Sequence, residues 1–190
     1  MKRTTALAHL KRGFFDRPAD LVARELLGRY LVHERQEAVH IGRIVETEAY
    51  LGPHDLASHS CRKKTPRTAV MFGPPGFAYV YLIYGIHHLI NVVTGPGENP
   101  SAVLLRALEP VQHIDDKTRG PGLVCRAMHI DRQMNGCDAT AGSLYFAASP
   151  TGPEGFEIVE KPRIGVDYAG TWAKKPLRFY IRDNPFISRR

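Results

Sequence analysis

The sharpest alternation of apolar and polar positions lies in residues 43–59, which read RIVETEAYLGPHDLASH. From Ile44 to Tyr50 the side chains alternate as they do in an extended strand. One face of this strand carries Val45, Thr47 and Ala49, and the other face carries Glu46, Glu48 and Tyr50. Two carboxylates therefore share a face at a separation of roughly 7 Å, beside an aromatic ring. Like charges in so apolar a stretch make this strand the first candidate for a functional site.

Similar patterns predict the remaining elements. We expect a helix over PADLVARELL that begins at Pro18 and ends at Gly28, with Asp16 as its candidate cap. A short helix is predicted over HDLASHS after Pro53, and RGPGLVCRAMHI is typical of a loop that enters a helix. Strands are predicted over YLVHE, AVHIGRIVETEAY, FAYVYLIYG, HHLINVV, SAVLLRALEP and PLRFYIRD, and loops over GPGENPS and SPTGPEG. Because strands outnumber helices without strand–helix–strand alternation, the pattern predicts an α+β fold with a largely antiparallel sheet.

The strand FAYVYLIYG is unusually rich in tyrosine. Alternation places its side chains on two faces, Phe77, Tyr79, Tyr81 and Ile83 on one and Val80, Leu82 and Tyr84 on the other. Such rings can simply fill a hydrophobic core. A flat ring is also the usual platform for a nucleic-acid base, where each stacked base contributes ~1–3 kcal/mol. The pattern alone is compatible with both roles.

Length and composition predict a single domain over residues 1–190, since 43% of the residues are hydrophobic and can form one core. No apolar run is long enough to cross a bilayer, and the basic N-terminus has no continuous apolar segment of the kind found in secretory signals. Three scattered cysteines (Cys61, Cys125 and Cys137) do not form a disulfide framework. These features favour a reducing, intracellular compartment and no association with a membrane.

The charge of the chain is strongly positive, with a formal net charge of +7 and a pI of about 9.5. Residues 160–190 hold much of the excess, and a second basic cluster contains Arg62, Lys63, Lys64 and Arg67. Clustered lysine and arginine favour a polyanionic partner, because each cation set against a phosphate releases counterions. A well-solvated basic surface explains the charge alone equally well.

The paired carboxylates of residues 46 and 48 admit two interpretations. Inverting glycosidases use two acids roughly 6.5–9.5 Å apart, which is close to this spacing. Alternatively, one acid faces water while the other pairs with an arginine, as in many structural ion pairs. Enzymes that cleave O-glycosides are seldom so basic, so the composition directs attention to a different kind of glycosidic bond.

Two further motifs have common structural explanations. His54, His59 and Cys61 resemble a zinc-ligand set in residue type, but their spacing matches no common structural site and no second ligand pair occurs. The RGPGLV stretch places backbone amides at a predicted helix start, where phosphate binds readily. The histidine and cysteine set leaves open a small zinc hydrolase, and the tyrosine strand together with the basic clusters leaves open a non-catalytic nucleic-acid-binding module.

Taken in order, ten stretches resemble one family, the alkyladenine (3-methyladenine) DNA glycosylases. They are LLGRYLV, GRIVETEAYLGP, ASHS, MF-x-PPG, YVYLIYG, INVV, VLLRALEP, GPGLVCRAM, RIGVDYAG and KKPLRFY. Any one of these stretches could occur by chance, but the ordered set spans nearly the whole chain. The resemblance implies a monomeric α+β domain with a protruding β-hairpin that inserts into DNA while a damaged purine flips into a pocket.

The resemblance also implies roles for particular residues. Glu48 corresponds to the general base that activates water, and Arg106 to its partner, which positions the carboxylate and the water. Tyr50 and Tyr81 correspond to aromatic walls that stack on the flipped base. The remaining assignments are His59 as the residue that closes the pocket, Asn91 as the residue that excludes normal purines, and Tyr84 as the intercalating wedge. Glu46 has no catalytic role in the family, and we interpret it as an ion-pair or surface residue.

The implied activity is hydrolysis of the N-glycosidic bond of alkylated or deaminated purines, which leaves an abasic site. Candidate lesions are 3-methyladenine, 7-methylguanine, hypoxanthine and ethenoadenine, and pocket shape sets their ranking. The resemblance implies a monofunctional enzyme that acts on damaged double-stranded DNA without metal or cofactor. It would act in the cytoplasm, at the nucleoid, of a bacterium or in the nucleus of a eukaryote.

The chain departs from the family pattern after Gly-Pro-Gly, where Leu123 replaces the usual lysine. If that lysine contacts phosphate, this chain has lost one such contact. The terminal segments 1–15 and 186–190 lie outside the strong match, and we expect them to be less ordered than the rest.

Overall fold

The computed structural model describes residues 7–95, 99–149 and 155–190. The predicted loops GPGENPS and SPTGPEG lie partly outside these ranges. Within them, three α-helices are α1 (Arg12–Phe15), α2 (Ala19–Leu26) and α3 (Pro121–Ala127). The strands are β1 (Tyr30–Glu34), β2 (Val39–Tyr50), β3 (Ala78–Ile83), β4 (His87–Thr94), β5 (Ser101–Gln112), β6 (Leu144–Ala147), β7 (Ile158–Lys161) and β8 (Arg178–Ile181). Short 3₁₀ helices lie at His59–Cys61, Ala69–Phe72, Arg132–Met134 and Asp167–Lys174.

The strands form one sheet in the order β3-β4-β5-β2-β1-β6, with β8 paired to β2 and β7 paired to β8. Every pairing in this sheet is antiparallel. The long strand β2 is central, because its first half pairs with β1 and its second half with β8, while β5 runs along its other edge. The predicted single α+β domain with a largely antiparallel sheet is therefore confirmed.

The alternation predicted for β2 is present in the structure. Val45 and Ala49 are buried in the main core, and the Thr47 hydroxyl donates to the backbone carbonyl of Ala23 in α2. The carboxylates of Glu46 and Glu48 lie on the opposite face, where both contact Arg106. Irregular pairing with β5 on either side of Glu46 does not disturb this division. One face of β2 thus packs on a helix, and the other supports a buried polar cluster.

Several elements differ from the sequence prediction. Helix α2 begins after Pro18, which occupies the N-cap position without a side-chain hydrogen bond, so the proposed cap Asp16 is wrong. Gly28, with φ of +79°, follows the helix end as predicted. The predicted helix over HDLASHS is also wrong, since the segment forms turns followed by a 3₁₀ helix. Its Asp55 carboxylate accepts the backbone N–H groups of Leu51 and Ala57, which stabilises turns in place of a helix.

The β3–β4 hairpin presents apolar side chains to solvent at its tip. Tyr84 and Gly85 have φ of +53° and +73°, which is the pair of positive values that a type I′ turn requires. The Tyr84 side chain is 86% exposed, and Ile86 beside it is also exposed. The β3–β4 hairpin therefore has an exposed aromatic residue at its tip.

Described residues of the two terminal segments make specific contacts. Phe15 in α1 is fully buried. At the other end, Ser188 donates its backbone N–H to Glu46, and the carbonyl of Arg189 accepts from Arg178. Among the helices of the described ranges, none has the length and apolar character needed to traverse a lipid bilayer.

Candidate active site

A cavity of about 520 Å³ lies between the β3–β4 hairpin, the start of α3 and the loop that leads into the Asp167–Lys174 helix. Of the seven residues singled out in the sequence, the following line it: Tyr50, His59, Tyr81, Tyr84, Asn91 and Arg106. The seventh, Glu48, is fully buried and lies behind this wall. Its carboxylate is bound by three lining residues, Tyr50, Arg106 and Ile164. The fold therefore brings all seven residues to one place.

The Glu48 carboxylate has one crowded oxygen and one less crowded oxygen. Oε1 accepts the backbone N–H of Ile164 at 2.8 Å and lies 3.3 Å from Nη1 of Arg106. Oε2 accepts a hydrogen bond from the Tyr50 hydroxyl at 2.9 Å. Among the described residues this is the one hydrogen bond that Oε2 forms. Since a carboxylate oxygen has two acceptor positions, Oε2 has capacity for a further donor such as water. Burial raises the pKa of Glu48, while Arg106, the Ile164 amide and Tyr50 oppose that rise.

Arg106 joins the two carboxylates of β2. Its Nε lies 3.3 Å from Oε1 of Glu46, and its Nη1 lies the same distance from Oε1 of Glu48. The Arg106 side chain is only 9% exposed to solvent, and it also lines the cavity. Arg106 can therefore hold Glu48 in place and present positive charge at the cavity wall.

Glu46 is not a surface residue. It is fully buried, and it forms ion pairs with Arg106 and with Arg178, whose Nη1 lies 2.9 Å from Oε1. The ion-pair interpretation of Glu46 is therefore confirmed, and the alternative of surface exposure is wrong. The charges of two carboxylates (Glu46 and Glu48) are compensated by those of two guanidinium groups (Arg106 and Arg178). All four groups are largely buried, where an unpaired charge would be destabilising.

Aromatic rings form the sides of the cavity. Tyr79 and Tyr81 of β3 lie 5.2 Å apart between ring centroids, and the His59 ring lies 4.7 Å from Tyr81. Nδ1 of His59 is hydrogen-bonded to the Tyr79 hydroxyl at 3.0 Å, and Asn91 Nδ2 donates to the Tyr79 backbone carbonyl at 3.2 Å. These bonds fix the positions of His59 and Asn91 relative to the tyrosine strand.

Burial controls the ionisation of these groups. It lowers the pKa of His59, and the nearby Arg67 and Arg62 lower it further, so the ring is neutral at pH 7. Burial also raises the pKa of Tyr79 to about 12 and that of Tyr81 above its usual range. The cavity therefore presents neutral rings at physiological pH, with hydroxyl groups that remain protonated.

The back of the Tyr50 ring rests on a buried ion pair. The Arg163 guanidinium lies 4.7 Å from the Tyr50 ring centroid, and its two terminal nitrogens bind Asp55 at 2.5 and 2.8 Å. Arg163 does not line the cavity, so it contacts Tyr50 from the protein interior. The same Asp55 organises the turn after β2, which explains why that segment is not helical.

Two contributors to the site were missed in the sequence. The backbone amide of Ile164 binds Glu48, and a backbone group has no residue-type signature. Tyr168 is 67% exposed and lines both the main cavity and an adjoining basic cavity of about 380 Å³, which also contains Arg62, Lys63 and Arg67. Tyr168 lies in the RIGVDYAG stretch that resembles the family, so the resemblance could have identified it as a site residue.

The proposed zinc ligands are engaged in other contacts. His54 packs against Trp172, His59 binds Tyr79, and Cys61 Sγ lies 3.6 Å from the Leu56 carbonyl oxygen. Over residues 7–95, 99–149 and 155–190, no group of three or more histidine, cysteine, aspartate or glutamate side chains could hold a metal ion. Among the described residues, His54, His59 and Cys61 therefore do not come together as a metal site.

Comparison with known proteins agrees with this geometry. The chain matches the family model of methylpurine-DNA glycosylase (MPG) over residues 13–185. It is similar to proteins named "Putative 3-methyladenine DNA glycosylase" from three bacteria. The protein of Legionella pneumophila (strain Lens) is 57% identical over 180 residues, 95% of this chain and 98% of that protein. The proteins of Anaeromyxobacter dehalogenans (strain 2CP-1) and Myxococcus xanthus (strain DK1622) are 51% and 50% identical, over 95% of this chain and 85% and 93% of their own lengths.

The family model and these relatives each cover far more than half of the chain, so the resemblance seen in the sequence is confirmed. They also decide between the function classes left open above, because a non-catalytic binding module and a zinc hydrolase do not fit the match. The chain belongs to the methylpurine-DNA glycosylase family and is a DNA glycosylase, a hydrolase of base excision repair.

Proposed function

We propose that this enzyme removes alkylated purines of the 3-methyladenine type, and deaminated or etheno-modified purines that fit the same cavity, from double-stranded DNA. The observation that carries the proposal is the Glu48 carboxylate, which is bound by three residues of an aromatic cavity. A carboxylate held in this way can take a proton from water and can stabilise positive charge on a nearby sugar.

The reaction proceeds by displacement at C1′ of the deoxyribose. Oε2 of Glu48 accepts a proton from water, and the water oxygen forms a bond to C1′ as the bond from C1′ to the purine nitrogen breaks. The electron pair of that bond leaves with the purine: a cationic alkylated purine departs as the neutral free base, and an uncharged purine becomes the free base by taking up a proton from solvent water. Arg106 holds Glu48 from the Oε1 side and so directs Oε2 toward the substrate. Among the described residues that line the cavity there is no lysine, so the reaction ends at an abasic site without a Schiff base.

The aromatic walls supply selectivity. A flipped base stacks between Tyr50 and Tyr81, and a cationic base gains a cation–π contribution of about 1 kcal/mol from such rings. Asn91, fixed by Tyr79, crowds the position that the 2-amino group of guanine would occupy. Base flipping costs a few kcal/mol and costs least at weakly paired lesions, which adds to the preference for damaged purines.

The hairpin tip and the basic surface bind the duplex. Tyr84 is exposed at the hairpin tip and also lines the cavity, so it can enter the base stack while the flipped base occupies the cavity. Arg62, Lys63 and Arg67 line the adjoining basic cavity, where backbone phosphate beside the flipped nucleotide would be neutralised. We infer that one enzyme molecule binds one lesion as a monomer.

A panel of duplexes, each with one defined lesion, tests the proposal. Wild-type enzyme is expected to release free base from at least one alkylated purine and to leave an intact abasic strand. Glu48→Gln keeps the side-chain shape but cannot accept the proton, so we expect its cleavage rate to fall by roughly 10²–10⁴-fold. Glu46→Gln, which alters the same ion cluster without touching the substrate, is expected to retain measurable cleavage. Equal loss of activity in both folded variants would contradict the assignment of Glu48 as the single base.

A further inference from the structure

The guanidinium of Arg106 is held on three sides. Nε lies 3.3 Å from Glu46, Nη1 lies 3.3 Å from Glu48, and Nη2 lies 3.4 Å from the Ser188 hydroxyl. Each of these contacts is long for a charge-assisted hydrogen bond, so none of them fixes the group alone. Because a guanidinium is planar and its donors form a rigid fork, the three contacts together set its orientation.

Ser188 also binds Glu46, the first of these partners. Its backbone N–H donates to Oε2 of Glu46 at 2.6 Å, and its hydroxyl donates to Oε1 of Glu46 at 3.0 Å. The same hydroxyl oxygen accepts from Arg106, so one serine contacts both sides of the Glu46–Arg106 pair. Both Glu46 oxygens are therefore bound by this residue.

The segment around Ser188 is anchored to the fold at each neighbouring residue. The carbonyl of Ile187 accepts from Arg119 at 3.2 Å, and the Ile187 side chain is buried. The carbonyl of Arg189 accepts from Arg178 at 2.7 Å, and that arginine is the other ion-pair partner of Glu46. The C-terminal segment thus contacts the buried ion cluster, and none of residues 187–189 lines the cavity.

We propose that residues 187–189 belong to the catalytic apparatus and that Ser188 is a positioning residue that, with Glu46, orients Arg106 against Glu48. The inference rests on the proposed roles of Glu48 and Arg106, and it gives Glu46 a function that the family resemblance did not supply. Without the Ser188 hydroxyl, Arg106 would keep only its contacts with Glu46 and Glu48, and Glu46 would lose one of its two hydrogen-bond donors from Ser188. Arg106 would then hold Glu48 less firmly.

Single-turnover excision by Ser188→Ala tests the inference, on the lesion that the wild-type enzyme cleaves fastest. We expect cleavage at neutral pH to slow by about tenfold, the effect of one hydrogen bond within a charged cluster. Affinity for a duplex with a tetrahydrofuran abasic analogue should stay within about twofold, because no surface that faces DNA has changed. Since Arg106 lowers the pKa of Glu48, a displaced Arg106 should move the acid limb of the rate profile to higher pH.

Two comparisons separate positioning from mere support of the fold. Ser188→Thr keeps the hydroxyl and should restore the rate and the acid limb. Ser143→Ala removes an exposed serine that immediately precedes β6 and does not line the cavity, and it should change neither. The inference is overturned if Ser188→Ala has a lower unfolding temperature but a wild-type rate and pH profile. If Glu48→Gln keeps full activity, the proposed mechanism fails first and this inference fails with it.

Discussion

The hydroxyl of Tyr50 donates to Oε2 of Glu48 across 2.9 Å, so one wall of the base cavity and the candidate general base form a single hydrogen-bonded unit. Both residues lie on the same face of β2, two positions apart, and Arg163 supports the Tyr50 ring from behind. If the proposed roles of Tyr50 and Glu48 hold, a base that stacks on Tyr50 is aligned with the carboxylate, and this contact couples substrate binding to cleavage.

Tyr50→Phe keeps the stacking ring and removes only the hydroxyl. The Tyr50 hydrogen bond lowers the pKa of Glu48, so its loss should raise that pKa further. General-base catalysis needs the ionised carboxylate, and the acid limb of the cleavage rate should therefore move to higher pH. Single-turnover rates from pH 4 to 8, at roughly half-unit steps, measure the shift. Tyr30→Phe, on β1 outside the cavity, is the matched control, and an acid limb unchanged in both variants would remove the hydroxyl from the mechanism.

The raised pKa of Glu48 also predicts an effect on stability. A carboxyl group whose pKa is higher in the folded than in the unfolded state destabilises the fold when it is ionised. The penalty is absent below the ordinary value of 4.5, grows as the pH rises toward the folded-state pKa, and stays constant above it. Glu48→Gln should therefore unfold at the same temperature as the wild type or higher at pH 7, although we expect its cleavage rate to be much lower. A clearly lower unfolding temperature at pH 7 would show that the hydrogen bonds of Glu48 outweigh its burial.

The site was largely predictable because period-two alternation is a property of the backbone. Residue type and spacing in β2 were enough to place Glu46, Glu48 and Tyr50 on one face, and the faces of the tyrosine strand followed from the same rule, whereas the hairpin tip was implied by the family resemblance. Assignment of catalytic roles needed the family resemblance, since an ion pair and a catalytic acid have the same sequence pattern. In the structure Glu46 is in fact an ion-pair residue.

The missed features depend on contacts between distant parts of the chain. The Ile164 amide and the Ser188 hydroxyl bind carboxylates more than a hundred residues away, and neither residue type is distinctive. Strands β6 and β7 have four residues each, which is too short for alternation to show. The predicted helix after Pro53 failed because the Asp55 carboxylate accepts the backbone N–H groups of Leu51 and Ala57, and local sequence does not reveal Arg163, the distant partner that also binds this carboxylate.

Tyr84→Ala is expected to weaken lesion capture more than bond cleavage. The side chain is 86% exposed, so its truncation should leave the unfolding temperature unchanged while removing the group that fills the vacated stack. A fluorescent base analogue in the duplex reports flipping, and single-turnover kinetics report cleavage of the flipped base. Val111→Ala, 52% exposed at the far end of β5, serves as the surface control. Normal flipping with collapsed cleavage in Tyr84→Ala would contradict the wedge role.

A histidine cluster remote from the cavity predicts loss of stability in acid. His40 of β2 pairs with His33 of β1, its ring lies 4.7 Å from that of His129, and its Nδ1 is buried without a hydrogen-bond partner among the described residues. Burial lowers the pKa of His40, and the nearby His129 and Arg35 lower it further. A lowered folded-state pKa leaves stability intact above the unfolded value of about 6.5 and reduces it as the pH falls below that value.

Thermal unfolding between about pH 7.5 and pH 5 measures this loss. His40→Gln removes the titrating ring and should flatten the decline in unfolding temperature, while the same change at the exposed His54 should not. An identical acid decline in the wild type and His40→Gln would show that other groups cause it.

Leu123→Lys tests whether this chain has lost a phosphate contact. Leu123 lies in the first turn of α3 and lines the cavity next to Gly120 and Gly122, at the position where the family resemblance led us to expect a lysine. With a net charge of +7, the wild-type protein should bind undamaged duplex mainly through phosphates, and its affinity should fall steeply with salt. A lysine that contacts one more phosphate should steepen the slope of log affinity against log salt by about 0.9 and tighten binding at low salt.

Leu21→Lys makes the same substitution on α2, which packs on the opposite face of β2, at a side chain that is 39% exposed. It adds the same net charge away from the cavity, so any general attraction to DNA should appear in both variants. A steeper slope for Leu123→Lys alone places the start of α3 against the DNA backbone, whereas equal slopes in the two variants would show that the gain is net charge and that the α3 start does not contact phosphate.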